Sequence, residues 1–104
     1  MLGRYGRMWL DALKRSAPEA HRTLKHDGTL MTLAQENEQM AESEEEQLLS
    51  DMLQQSPLPD GPPLARVEHF ASLQRRAQEI AQSHLLEPFA AFDAQALSED
   101  ETTA

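Results

Sequence analysis

The feature that most constrains the fold of this chain is its shortage of residues that favour β-strands. Among 104 residues there are one Val, one Ile and five Thr, against fifteen Leu and fourteen Ala. β-Branched and aromatic side chains are enriched in strands, whereas Leu, Ala, Glu and Gln are among the better helix formers. The sequence therefore predicts an all-α fold, a small helical bundle of four to five helices.

The hydrophobic content predicts one domain with a thin core. Leu, Ile, Val and Phe together number 20 of the 104 residues, close to the level at which highly charged chains remain disordered. Ala and Met must therefore supply much of the core, and the length leaves no room for a second one. We predict a single helical domain over residues 1–97, followed by a frayed acidic tail at 98–104.

Charge divides the sequence into a basic head and an acidic body. The head, residues 1–26, carries six Lys or Arg against two acids, a net charge of +4. Residues 27–104 carry three Arg against sixteen acids, a net charge of −13, and the acidic body is residues 27–97 of this stretch. Such an asymmetry indicates surfaces of opposite sign, each able to meet a charged partner.

The head is predicted to begin with an amphipathic helix over residues 2–16. One face of its helical wheel is apolar and consists of Leu2, Tyr5, Trp9, Ala12 and Leu13. The opposite face is charged and consists of Arg4, Arg7, Asp11, Lys14 and Arg15. Gly3 and Gly6 each cost about 1 kcal/mol relative to Ala, so this helix needs a surface on which to lie.

Two capping-box patterns predict where the next helices start. Ser16 and Glu19, with a proline between them, predict a short second helix that ends near Gly28. Thr32, with a glutamine three residues later, repeats the pattern near the start of a third helix over about residues 30–55.

The middle of the third helix carries an acidic stripe. Its members are Glu38, Glu42, Glu45 and Glu46. Carboxylates four residues apart on a helix repel each other by ~0.2–0.5 kcal/mol per pair, and this stretch offers little apolar surface to a core. The stripe is therefore interpreted as a solvated helix, as a face for a cationic partner, or as a frayed segment.

A proline-rich turn at residues 56–63 precedes a strongly periodic fourth helix over about residues 64–86. The period places Val67, Phe70, Leu73, Ala77, Ile80, Ala81 and Leu85 on one apolar face. Within this face, Phe70, Leu73, Ala77, Ile80 and Ala81 are predicted to be buried. Arg75 and Glu79 are predicted to lie outside. If Phe70 is in the core, its replacement by Ala should cost ~3–5 kcal/mol.

Pro88 is predicted to end this fourth helix. A proline has no backbone N–H and fixes φ, so it breaks a helix interior but suits a first turn. We expect it to open a last short helix that carries Phe89, Phe92 and Leu97.

No recognisable site for catalysis or for a cofactor occurs in the sequence. There is no cysteine, which excludes disulfides and thiolate metal sites. The four histidines are not at the spacings of helical metal motifs, and there is no phosphate-binding glycine loop and no nucleophile motif. We predict that the protein is not an enzyme, has no catalytic residues, and binds neither a metal nor a cofactor.

The apolar runs are too short for a membrane span of about 18 residues or for a secretory signal. Together with the absence of cysteine, this predicts a cytoplasmic protein.

These features predict a non-enzymatic helical protein–protein interaction module, that is, an adaptor, a regulator or a subunit. The candidate partner-binding residues are Arg4, Arg7, Trp9, Lys14, Arg15, Glu38, Glu42, Glu45 and Glu46. The basic and acidic stripes could lie side by side within one chain or between two copies. The thin core favours a homodimer.

The alternative is a peripheral membrane or nucleic-acid-associated protein that acts through the basic amphipathic helix. The net charge of −13 over the rest of the chain disfavours nucleic acid as a partner. A membrane surface requires Trp9 as an exposed anchor, whereas the scarcity of other large apolar residues favours Trp9 in the core. The exposure of Trp9 therefore discriminates between the two hypotheses.

Overall fold

The computed structural model describes the backbone of residues 2–103 and the side chains of residues 2–89. Over that backbone the chain forms four helices and no strand, which confirms the all-α prediction. The helices are α1 (Arg4–Ser16), α2 (Pro18–Asp27), α3 (Leu30–Gln55) and α4 (Pro63–Thr103).

The helix ends follow the predicted breakers more closely than the predicted caps. Gly28 adopts a left-handed conformation (φ 77°), and its N–H bonds the last carbonyls of α2, as glycine does at helix ends. Both capping-box predictions are wrong: the N-cap residues are Ala17 and Thr29, and neither makes a side-chain cap bond. A single residue separates α1 from α2, so Ser16 is the last residue of α1 and Ala17 takes the N-cap position of α2.

The predicted helix break at Pro88 is also wrong, because α4 continues through this residue. Leu85 and Phe89, on either side of the proline, are both buried in the main core. Their packing offsets the hydrogen bond that Pro88 cannot donate. The helix reaches Thr103 and so runs through most of the segment for which we predicted a frayed tail. The side chains of Phe92 and Leu97 lie outside the described residues.

The core forms where α1 packs into the groove between α3 and α4. All five residues of the predicted apolar face of α1 are buried, which confirms that prediction. They meet Leu30, Ala34 and Ala41 of α3 and Ala81, Leu85 and Phe89 of α4. The rings of Trp9 and Phe89 pack edge to face with centroids 6.1 Å apart. Alanine on the two long helices lets the helices approach closely around this aromatic pair.

The first helix covers only one half of the α3–α4 hairpin. Its polar and ring contacts fall at residues 38–45 of α3 and 78–89 of α4. We call residues 2–16, 30–45 and 78–89 the three-helix region. We call residues 46–77, where α3 and α4 have only each other, the distal hairpin.

This division explains where the predicted buried face of α4 is correct and where it is not. Leu73, Ala77, Ala81 and Leu85 are buried, and Arg75 and Glu79 are exposed as predicted. Ile80 is half-buried. Phe70 was predicted to be buried but is 37% exposed, and Val67 on the same face is 63% exposed, because no third helix reaches their level.

Candidate functional site

The acidic stripe of α3 begins with a carboxylate that caps α1 from outside the helix. The N-cap residue of α1 is Gly3, which has no side chain, and the first turn contains no acid. Glu38 is buried (9% exposed), and its Oε1 accepts a hydrogen bond from the Gly6 amide at 3.4 Å. Gly6 is the third residue of α1, so this N–H is one that has no partner within the helix. A carboxylate there also interacts favourably with the positive end of the helix dipole.

Two glycines make this approach possible. A Cβ on Gly3 would lie 2.6 Å from the Glu38 Oε1 atom, and a Cβ on Gly6 would lie 3.3 Å from the same atom. Any larger residue would therefore push the carboxylate away from the helix end. In the sequence these glycines are noticeable only as poor helix formers, and their position against Glu38 depends on the tertiary fold.

A second residue of the acidic stripe holds Tyr5 of α1. The Tyr5 hydroxyl donates a hydrogen bond of 2.5 Å to Glu45 Oε1. Burial raises the pKa of the Tyr5 hydroxyl well above its usual range, and the Glu45 carboxylate raises this pKa further. Tyr5 therefore stays a neutral donor, and Glu45, which is half-buried, joins Glu38 in anchoring α1.

The basic stripe of α1 faces away from the acidic stripe. Arg4, Arg7, Lys14 and Arg15 are all exposed. Among the side chains of residues 2–89 the only salt bridge joins His84 and Glu44. Hydrogen bonds and apolar contacts, without ion pairs, thus join α1 to α3.

Arg4 differs from the other cations of the stripe because the fold gives it partners. Its guanidinium donates to Gln78 Oε1 at 3.3 Å and to Gln82 Oε1 at 3.2 Å, and it lies 5.8 Å from the centroid of the Tyr5 ring. Arg4 therefore joins α1 to α4 at the end of the three-helix region.

The nine residues proposed from the sequence as a partner-binding set thus divide into two groups. Three of them hold the three-helix region together: Trp9 and Glu38 are buried, and Glu45 is half-buried. The six exposed ones are Arg4, Arg7, Lys14, Arg15, Glu42 and Glu46. Because Trp9 packs on Phe89, it is not an exposed anchor for a membrane.

Sequence reasoning missed an apolar surface on the distal hairpin. Six large hydrophobic side chains are exposed within residues 2–89, and four of them lie here, namely Leu58, Leu64, Val67 and Phe70. A groove of about 350 Å³ is lined by Leu58, Pro63, Arg66, Val67 and Phe70. The signal in the sequence was helix length, because a first helix of 13 residues cannot cover a hairpin whose first arm has 26.

The distal hairpin is nearly neutral, unlike the rest of the chain. Between residues 46 and 77 there are four acids and three arginines, a net charge of −1. The arginines are Arg66, Arg75 and Arg76, and the acids are Glu46, Asp51, Asp60 and Glu68. The distal hairpin therefore carries charges of both signs, and one of them, Arg66, lines the groove.

The described part of the chain contains no cluster of three or more His, Cys, Asp or Glu side chains that could hold a metal ion. His69 forms a hydrogen bond next to the proline-rich connection, where its Nε2 lies 2.8 Å from the Ser56 carbonyl oxygen. In the same described residues, no helix is long and apolar enough to cross a membrane.

Comparison with known proteins gave one informative result. A family model described as "Transposon-encoded protein TnpV" matches residues 1–86. The matched segment contains α1, α2, α3, the proline-rich connection and α4 up to Leu86. No curated protein and no solved structure matches the chain.

Proposed function

The chain belongs to the TnpV family of transposon-encoded proteins, and from this premise we propose that it is a non-enzymatic interaction protein of such an element. In this proposal the three-helix region is a fixed scaffold, and the distal hairpin is the surface that binds a protein partner.

The observation that carries the proposal is the exposed apolar surface of the distal hairpin. Val67 and Leu64 are 63% and 68% exposed and lie three residues apart on one helix, next to Phe70 and Leu58. Contiguous apolar surface with a charged border is typical of protein-binding sites. In the three-helix region, the groove between α3 and α4 is filled by the amphipathic helix α1. The distal groove lies between the proline-rich connection and α4 and is open to helices from another chain.

We propose that the partner is a second copy of this chain. A two-fold dimer brings the same surface together with itself, so that surface must not repel its own copy. The distal hairpin meets this requirement, since its net charge is −1 and its arginines can face the acids of the other copy. Pairing two hairpins would complete a four-helix bundle, in which each pair of helices gains the cover that it lacks alone.

Two observations support a function in binding without catalysis. The Tyr5 hydroxyl, whose pKa is raised by burial, is engaged in holding α1 on α3. The groove of the distal hairpin is lined by one charged side chain, Arg66, and otherwise by apolar residues. Neither the surroundings of Tyr5 nor the groove of the distal hairpin brings together a nucleophile, a base and an oxyanion donor.

Light scattering on the wild type and two matched variants tests the proposal. Val67→Glu places a carboxylate in the distal groove. The control, Met31→Glu, places a carboxylate at a 50% exposed apolar residue near the start of α3, outside the distal hairpin. We expect a wild-type dimer at micromolar concentration, a monomer for Val67→Glu, and a dimer for Met31→Glu. A wild type that stays monomeric up to about 100 μM, a concentration at which a weak specific dimer would form, would overturn the second copy as the partner.

A further inference from the structure

The outward surface of α1 and α2 carries cations that the fold leaves without carboxylate partners. Apart from Arg4, which Gln78 and Gln82 engage, the exposed cations of these helices are Arg7, Lys14, Arg15, Arg22 and Lys25. The described side chains of residues 2–89 include no carboxylate in a salt bridge with any of the five. We call these five residues the cationic face.

Two acids of α3 that contact α1 bond to its buried side. Glu38 bonds the Gly6 amide and Glu45 bonds the Tyr5 hydroxyl, both on the buried side of α1. The acids on α1 and α2 themselves are Asp11, Glu19 and Asp27, so the two helices keep a net positive charge. Asp11 lies on the charged side of α1 with Arg7, Lys14 and Arg15, but the cations outnumber the acids, so the cationic face is a net positive surface on an otherwise acidic protein.

We propose that the cationic face binds the phosphate backbone of double-stranded nucleic acid without reading its sequence. Arg7 and Lys14 are two turns apart on α1, which corresponds to about 10.5 Å along the helix axis. Arg22 and Lys25 extend the same charge onto α2. Contacts between Lys or Arg and phosphates release condensed counterions, which supplies most of the affinity of sequence-independent binding.

The structure favours a polyanion over an anionic membrane as the ligand of this face. A helix that lies on a membrane inserts an apolar side into the lipid. The apolar side of α1 packs against α3 and α4, where Tyr5 and Trp9 are buried. The exposed large hydrophobic residues of the described chain begin only at Met31, so neither α1 nor α2 has one to insert.

The overall charge of −9 weakens this binding without preventing it. Repulsion from acids farther away than about 8 Å is largely screened at physiological ionic strength, whereas contacts with phosphates act at short range. Repulsion by the acidic residues also orients the protein, so that the cationic face meets the polyanion first.

Fluorescence anisotropy with a labelled 20-base-pair DNA duplex of arbitrary sequence tests the proposal between 50 and 200 mM NaCl. With five phosphate contacts, the logarithm of the binding constant should fall with the logarithm of the salt concentration with a slope of about −4.5. The double variant Lys14→Gln, Arg15→Gln should reduce the slope to about −2.7 and the affinity roughly 50-fold at 0.1 M salt.

The matched control is Gln35→Glu, Gln39→Glu, which lowers the net charge by the same two units at exposed residues of α3 outside both the cationic face and the distal hairpin. It should keep the wild-type slope and most of the affinity, and circular dichroism checks that both variants remain helical. Three results overturn the proposal: no duplex binding at 50 mM NaCl, an equal loss in the two double variants, or binding to phosphatidylserine vesicles without binding to the duplex. None of these results bears on self-association, which Val67→Glu tests on a separate surface.

Discussion

The three-helix region and the distal hairpin use the same two long helices with opposite results. In the three-helix region Ala34 and Ala81 are fully buried beneath α1, and Trp9 fills the groove between the helices. In the distal hairpin the apolar side of α4 has no such cover, and Val67 is 63% exposed. An apolar face on a helix therefore marks a surface that can be covered. Whether it is covered depends on the length and position of a third helix.

The largest expected effect is on the free energy of unfolding, when one aromatic residue in each region is replaced by Ala. Trp9→Ala should lower the free energy of unfolding by ~3–5 kcal/mol, because it opens a cavity beside Phe89 in the main core. Phe70→Ala should cost far less in the monomer, because Phe70 is 37% exposed. This replaces the cost of ~3–5 kcal/mol expected for Phe70 from the sequence alone. Urea unfolding at low protein concentration measures both, and equal losses would contradict the division into two regions.

The next effect sharpens the account of how α1 is held. Glu38→Ala should cost ~1–2 kcal/mol, because it leaves the Gly6 N–H without its acceptor and removes a charge from the positive end of α1. Glu38→Gln keeps an acceptor and should lose only ~0.3–1 kcal/mol. The control, Glu46→Ala, changes an exposed residue of the same stripe and should stay within ~0.5 kcal/mol of the wild type. If Glu46→Ala costs as much as Glu38→Ala, Glu38 does not cap α1.

The comparison also shows which parts of the structure the sequence could predict. The apolar face of α1 was predicted fully, because helical periodicity is local and all five residues meet one groove. Val67 and Phe70 continue the same kind of pattern on α4, yet they are exposed because α1 does not extend to them. Periodicity thus identifies an apolar face and gives no information about what covers it.

The acidic stripe shows the same limit for polar residues. From the sequence, Glu38 and Glu45 are indistinguishable from Glu42 and Glu46, and all four were assigned to a partner-binding surface. Only the tertiary packing brings Glu38 to a helix end whose cap residue is glycine, and Glu45 to the single tyrosine. The capping boxes failed for a related reason, since Ser16 was already the last residue of α1.

A smaller effect, confined to the three-helix region, should appear in alkaline solution. The pKa of Tyr5 is raised in the folded protein, so the neutral hydroxyl is stabilised by folding. This contribution should be complete below the ordinary tyrosine pKa of about 10 and should be lost as the pH rises above it. Because Tyr5 is the only tyrosine, tyrosinate absorbance reports its ionisation directly.

Tyr5→Phe provides the control for this pH dependence. The variant should lack the part of the alkaline destabilisation that comes from Tyr5, while the Lys and Arg contributions remain. Titration of Tyr5 near pH 10 in the folded protein would contradict the buried hydrogen bond with Glu45.

Hydrogen exchange measured by mass spectrometry at two protein concentrations tests most directly the claim that the distal hairpin lacks a third helix until a second copy supplies one. At about 1 μM the amides of residues 46–77 should exchange faster than those of residues 30–45 and 78–89, because fewer buried apolar contacts hold them. At about 100 μM, as dimer forms, protection should rise in the distal hairpin and stay unchanged in the three-helix region. Equal protection of the two regions at both concentrations would contradict the account.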